Sequence, residues 1–195
     1  MKNSNKIYKQ TPHPVNMNEK TFVLIKPDGV RRNIIGKMIS RFEDTGLKII
    51  AMKMMQINEE HAGKHYPLDE EWARKVFEKT SVVYEKEGIP MKYRNYLQWG
   101  EEIRKRNINF IKEGSVIAMI LQCPHAIEIV RKIIGHTEPR QAVPDTIRGD
   151  FISIESYALS DSEGRSVRNL IHASDSVENA KREIDLWFKD EEIMK

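Results

Sequence analysis

The chain has 195 residues, 39% hydrophobic and 31% charged, with a formal net charge of +3. This suffices for one apolar core, and the charge is too small to direct the molecule to nucleic acid. The single cysteine, Cys123, excludes an intrachain disulfide, and no run approaches the ~18 apolar residues of a membrane span. Residues 1–18 are polar, contain Pro12 and Pro14, and lack the apolar stretch of a secretory signal. They read as a flexible tail before one domain at 19–195, and a cytoplasmic location is the expectation.

Thr21–Ile25 is a short apolar run, hence a buried strand, ending at the turn signal Lys26-Pro27-Asp28-Gly29. Ile35, Met38, Ile39 and Phe42 have helical spacing, with Asn33 as a candidate N-cap and Gly46 as a stop. Leu47 to Ile57 predicts a strand, and Asn58-Glu59-Glu60 opens a helix that ends before Pro67. Residues 68–113, with many aromatics and charges, predict an insert of two or three amphipathic helices. Ser115–Cys123 is a second buried strand, and Pro124 opens a helix that Gly135 closes. The pattern then predicts a strand at Phe151–Ile154, a loop at Asp161–Gly164 and an extended approach from Val167 to His172. A final helix follows, capped by Asp175 and Glu178, with Val177, Ala180, Ile184 and Trp187 as its buried stripe. This order fits a ferredoxin-like α/β fold, βαββαβ with a four-stranded antiparallel sheet and added helices. A fold alone does not set function.

Lys26 closes a buried strand at a rigid turn, where its ammonium can meet a phosphate. Taken alone, a solvated strand-end lysine explains it better. A phosphate-binding loop built on Gly29, Gly36 and Lys37 is excluded by its glycine spacing and by Met38 where a metal-ligating hydroxyl belongs. Arg131 and Arg148 can offset further phosphate charge, and Gly149 lets a ligand approach the backbone. His172, in Asn169-Leu170-Ile171-His172-Ala173-Ser174-Asp175-Ser176, lies between an apolar strand end and a helix N-terminus. Backbone N–H groups there attract anions, and a neutral imidazole accepts a phosphoryl group. Glu183 is a candidate to orient it. Local chemistry weighs this evenly against a capping loop with a partly buried histidine. His61 and His65 have metal-ligand spacing without an evident third ligand, so a solvated face is expected; His125 and His136 read as surface or supporting residues.

Together these pieces resemble the nucleoside diphosphate kinase family. The resemblance rests on Thr21 to Arg32 (TFVLIKPDGVRR), Arg41-Phe42-Glu43, His65-Tyr66, Ser115 to Ile120, Arg131 to Pro139 (RKIIGHTEP), Thr146 to Phe151 (TIRGDF) and Arg168 to Ser176 (RNLIHASDS). It implies that His172 carries the phosphoryl group in a ping-pong reaction between nucleoside di- and triphosphates, supported by Glu183 and Ser174. Lys26, Tyr66, Arg131, Thr137 and Arg148 are then the phosphate contacts, and Lys26 and Asn169 the sugar contacts. Magnesium is implied as the cofactor, held mainly by the nucleotide phosphates and water, and a homo-oligomer, hexamer or tetramer, as the assembly. The base is expected to be read by stacking alone. Three stretches depart from the family pattern. The 68–113 insert replaces a short hairpin that supplies a base-stacking aromatic, so Phe77, Phe110 or a tyrosine becomes the candidate; the insert is expected to lie over the cleft. The segment from 152 to 167 is extended, and Asp145 stands where glycine is usual. Two rivals are a non-catalytic nucleotide-binding member and a nucleic-acid module built on the insert. The intact His172, Lys26 and Arg148 argue against the first. The acidic residues interleaved through the insert argue against the second.

Overall fold

Strands that are apolar on both faces need cover on both sides. The computed structural model, which describes residues 15–194, supplies it with helices. Most of the expected 1–18 tail, residues 1–14, lies outside the described residues. The chain runs β1 (Lys20–Ile25), α1 (Pro27–Arg31), α2 (Ile35–Glu43), β2 (Lys48–Met55), α3 (Glu59–His65), α4 (Glu70–Glu87), α5 (Tyr96–Ile111) and β3 (Val116–Gln122). It continues with α6 (Ala126–Ile134), α7 (Ile147–Ile152), α8 (Tyr157–Ser162), β4 (Ile171–Ala173) and α9 (Val177–Trp187). The sheet has the order β2-β3-β1-β4, and every neighbouring pair is antiparallel.

Alternate residues of β1 and β3 face two separate cores. Val23, Ile25, Met119 and Leu121 pack with Met38 and Phe42 of α2 and with Val130 and Ile134 of α6. Phe22, Leu24, Ala118 and Ile120 pack on the opposite face with Ala62 of α3, Ile108 and Ile111 of α5, and Trp187 of α9. The 68–113 insert is therefore structural on one side, since α5 closes the second core. Its hairpin is held by Asp69, which accepts from the Trp72 N–H at 2.7 Å, and by a left-handed Gly88 at φ 68°. The hairpin helices approach closely at Gly100, where a Cβ would lie 2.6 Å from that of Ala73. Trp99 is buried between them and donates from Nε1 to Thr80 Oγ1 at 3.2 Å.

Several local expectations change. Lys26-Pro27-Asp28-Gly29 runs into the short helix α1 with Pro27 at its first position. Asn33 is a left-handed turn residue at φ 56° and not a cap; Ile34 takes that position. Residues 151–154 form no strand. The Thr146 hydroxyl accepts the Gly149 N–H at 3.1 Å and starts α7 instead, and Phe151 and Ile152 pack on the first core. The loop expected at Asp161–Gly164 begins inside α8, which Ser156 caps. The last helix is capped by Ser176, not Asp175, and Val177 faces solvent. No helix among the described residues is long and apolar enough to cross a membrane.

Candidate active site

β4 carries His172 beside Leu24 of β1, so the histidine lies within the sheet edge and not after it. Its side chain is 25% exposed, enough to be reached from a cleft. Nε2 pairs with Glu183 Oε1 at 2.8 Å, and Nδ1 has no partner among the described residues. Glu183 is buried on α9 and also accepts from Ser174 Oγ at 2.5 Å. Burial alone would raise the Glu183 pKa. The charge and hydrogen bond of His172 and the Ser174 hydroxyl outweigh this and hold it at about 2. The carboxylate thus stays charged and fixes one face of the imidazole.

His65 corrects a sequence expectation. Its ring is buried and packs edge-on against His172, with centroids 4.8 Å apart. Its Nδ1 accepts from Trp187 Nε1 at 3.3 Å. Burial, reinforced by the neighbouring His172, pushes its pKa well below the ordinary value, so it is a neutral wall. His61 is half-buried against Trp187. His65, His172 and Glu183 present ligand atoms within 4.8 Å of one another. His65 Nδ1 is taken by Trp187, His172 Nε2 by Glu183, and the Glu183 carboxylate by His172 and Ser174, while His65 Nε2 has no partner among the described residues. The cue for His65 was its place beside Tyr66 in a matching stretch; its burial depends on Trp187, far away in sequence.

The other end of the cleft is cationic. Lys26 is buried and donates from Nζ to Asn169 Oδ1 at 2.8 Å. Burial lowers its pKa to about 8, which Asp28 opposes and Arg148 reinforces. Arg148 is also buried, donating to the carbonyls of Asn169 (3.1 Å), Gly135 (2.8 Å) and Ile171 (2.5 Å). Burial lowers it to about 10, and it remains charged at neutral pH. Asn169 donates its amide to the Thr137 carbonyl at 2.9 Å, tying the two loops together. Leu170 has φ 66°, a strained value for a branched residue. Its N–H reaches Asp28 Oδ2 at 3.0 Å and its carbonyl accepts from the Lys26 N–H at 2.8 Å. Arg131 is exposed at the end of α6, and its charge is felt at Arg148. Tyr66 is half-buried, and Arg104 of α5 donates to its carbonyl at 2.6 Å. All nine site residues expected from sequence line one cleft of about 780 Å³.

The insert forms a wall of that cleft through Trp72 and Val76 of α4. Phe77 does not line it, and Phe110 is buried with Lys26 Nζ 5.6 Å from its ring centre. Neither presents a face to a base. Trp72, not among the expected stacking candidates, is the aromatic that α4 presents there. Its position one turn into a capped helix was the available signal.

Comparison with known proteins matches residues 19–91 and 93–193 to the nucleoside diphosphate kinase family model. A nucleoside diphosphate kinase of Pyrobaculum aerophilum is 42% identical over 180 residues, covering 90% of this chain and 98% of the relative. One from Methanocaldococcus jannaschii is 42% identical over 177 residues, covering 91% and 98%. The crystal structure of the NDP kinase from Pyrobaculum aerophilum superposes with a TM-score of 0.86 at 40% identity, covering 91% of this chain and all of that one. A Borrelia burgdorferi nucleoside-diphosphate kinase, solved as a transition-state mimic with vanadate and ADP, gives 0.74 at 39% identity, with 92% of each chain covered.

Proposed function

The chain belongs to the nucleoside diphosphate kinase family and is a phosphotransferase acting between nucleotides, and we propose that it works by ping-pong transfer through His172. The observation that carries this reading is the buried Glu183 carboxylate on His172 Nε2, with Nδ1 unpartnered beside a cationic cleft. Nδ1 attacks the γ-phosphorus of a nucleoside triphosphate. The P–N bond forms as the bridging P–O bond breaks, and the nucleoside diphosphate leaves with the electron pair. The imidazole keeps its Nε2 proton, and Glu183 balances its positive charge. In the second half-reaction a terminal oxygen of another nucleoside diphosphate attacks that phosphorus and regenerates His172.

Lys26 and Arg148 stabilise charge on the transferring group, with Arg131, Thr137 and Tyr66 as further phosphate contacts. Lys26 and Asn169 hold the sugar. Ser174 fixes Glu183. The donors facing the phosphates are cationic, and the buried carboxylates Asp28 and Glu183 are already hydrogen-bonded. This fits magnesium brought in on the nucleotide, with Asp175 at the cleft available to a metal-bound water. Bound there, the ion supplies charge neutralisation on the phosphates. A homo-oligomer, hexamer or tetramer, and a cytoplasmic setting complete the proposal; light scattering tests the first.

The direct experiment incubates the protein with γ-labelled ATP and magnesium. Label should be trapped on the wild type, lost in mild acid, kept in alkali, and discharged by added diphosphate. His172→Ala should fold and trap none. Label on the alanine variant, or acid-stable label, would overturn the assignment.

A further inference from the structure

Resting on that reaction, we propose that a polar wall built by the insert and the 152–167 extension reads the edge of the base and selects guanine nucleotides. Stacking alone, as the sequence suggests, leaves the bases nearly equivalent. This cleft offers more. Beyond the sugar contacts Lys26 and Asn169, the cleft continues along α5. Phe110 lies beneath Lys26, and one helical turn earlier Asn107 lines the cleft. Asn107 Oδ1 accepts from Ser166 Oγ at 2.5 Å, which fixes the amide orientation. Its Nδ2 has no acceptor among the described residues.

The neighbouring Arg106 is buried, donates from Nε to Glu102 at 2.7 Å and pairs through Nη1 with Asp161 Oδ1 of α8. Asp161 also lines the cleft, and its Oδ2 has no donor among the described residues. Burial raises its carboxyl to about 6, which leaves it ionised at neutral pH. Trp72 and Val76 line the same cleft from α4 and offer an apolar face.

The wall therefore presents an amide donor and an anionic acceptor, both pre-oriented by other side chains. Guanine places an acceptor, O6, next to two adjacent donors, N1–H and N2–H. O6 suits Asn107 Nδ2, and the two donors suit the Asp161 carboxylate in charge-assisted bonds. Adenine, cytosine and uracil each set only one donor beside the acceptor on that edge. Base edges read this way discriminate by roughly tenfold or more.

The test discharges labelled phosphoenzyme with GDP, ADP, CDP and inosine diphosphate under identical conditions, and measures GDP and ADP affinities calorimetrically. GDP should exceed ADP about tenfold in kcat/KM, and inosine diphosphate, lacking N2–H, should fall back toward ADP. Asp161→Asn and Asn107→Ala should each pull GDP down toward ADP. Equal rates for all diphosphates, or a GDP preference untouched by both variants and by loss of N2–H, would overturn the proposal. If no phosphoenzyme forms, the transfer reading fails, and the GDP-to-ADP affinity ratio still decides this one. If Asp161→Asn does not fold, Asn107→Ala and the inosine comparison on the wild type decide it.

Discussion

Replacing Glu183 with glutamine keeps the shape of the side chain and removes its charge. In the wild type His172 and its neighbours hold the carboxylate at about 2, against an ordinary value of 4.5, despite burial that pushes the other way. That gap corresponds to roughly 3 kcal/mol, most of it owed to His172. The attacking imidazole is neutral and the phosphorylated one cationic, so this charge attraction develops as the P–N bond forms and favours the intermediate. Glutamine also turns a fixed acceptor into a group that can donate to His172 Nε2, which would place the imidazole proton on Nδ1 and block the attacking lone pair. Phosphoenzyme formation at saturating ATP and magnesium, followed by quenched flow, should slow on the order of a hundredfold. KM should hold, because Glu183 faces His172 and Ser174 and not the cationic phosphate donors. Stability follows the same carboxylate. A depressed pKa contributes above the unfolded value near 4.5 and is lost as pH falls toward 2. The wild type's advantage over the glutamine variant should therefore shrink across that window in acid denaturation. A variant within threefold of the wild-type rate, or one defective only in KM, would refute the orienting role.

Lys26 is held at about 8 by burial, and an arriving polyphosphate raises it, so ADP binding near pH 8 should take up a proton. Calorimetry in buffers of different ionisation enthalpy should show this for the wild type and not for Lys26→Met; buffer-independent heats would contradict it. Gly149→Ala places a Cβ 2.1 Å from the Val143 carbonyl oxygen, and displacing backbone there should cost about 1–3 kcal/mol, visible as a lowered melting temperature. An unchanged melt would show that the loop before α7 yields freely. Ile111→Ala, in a fully buried position of α5, should cost about 2–5 kcal/mol in denaturant unfolding. A negligible loss would mean that the insert is not part of the second core.

The sequence made the central strands plain because Phe22–Ile25 and Val116–Leu121 contain no polar position to confuse the period. It also exposed Asn58, whose side chain accepts the His61 N–H at 2.8 Å as its position before two glutamates suggested. Phe151–Ile154 misled because a short apolar run fits either a strand or a helix end, and the cap at Thr146 settles it only once its bond to Gly149 is seen. Ser176 and Asp175 are both good caps by type; Asp175 is diverted to the Asn179 amide at 2.7 Å. His65 was misplaced for a different reason. Its burial is produced by Phe22, His172 and Trp187 closing around it, and local pattern carries no record of contacts that distant.

The two long departures from the family pattern are not independent additions. α5 plants Ile108 and Ile111 in the second core and turns Arg106 and Asn107 toward Asp161 and Ser166 of the 152–167 extension. Arg106 is buried, so it requires the carboxylates of Glu102 and Asp161; losing a partner of a buried charge costs far more than the pair contributes when intact. An extension without the insert would leave Asp161 without its guanidinium, and an insert without the extension would leave Arg106 with Glu102 alone. Each segment supplies the countercharge that lets the other be buried. Their junction is also where Asn107 and Asp161 line the cleft, so the pairing that stabilises the two segments is the one that positions polar groups toward the nucleotide.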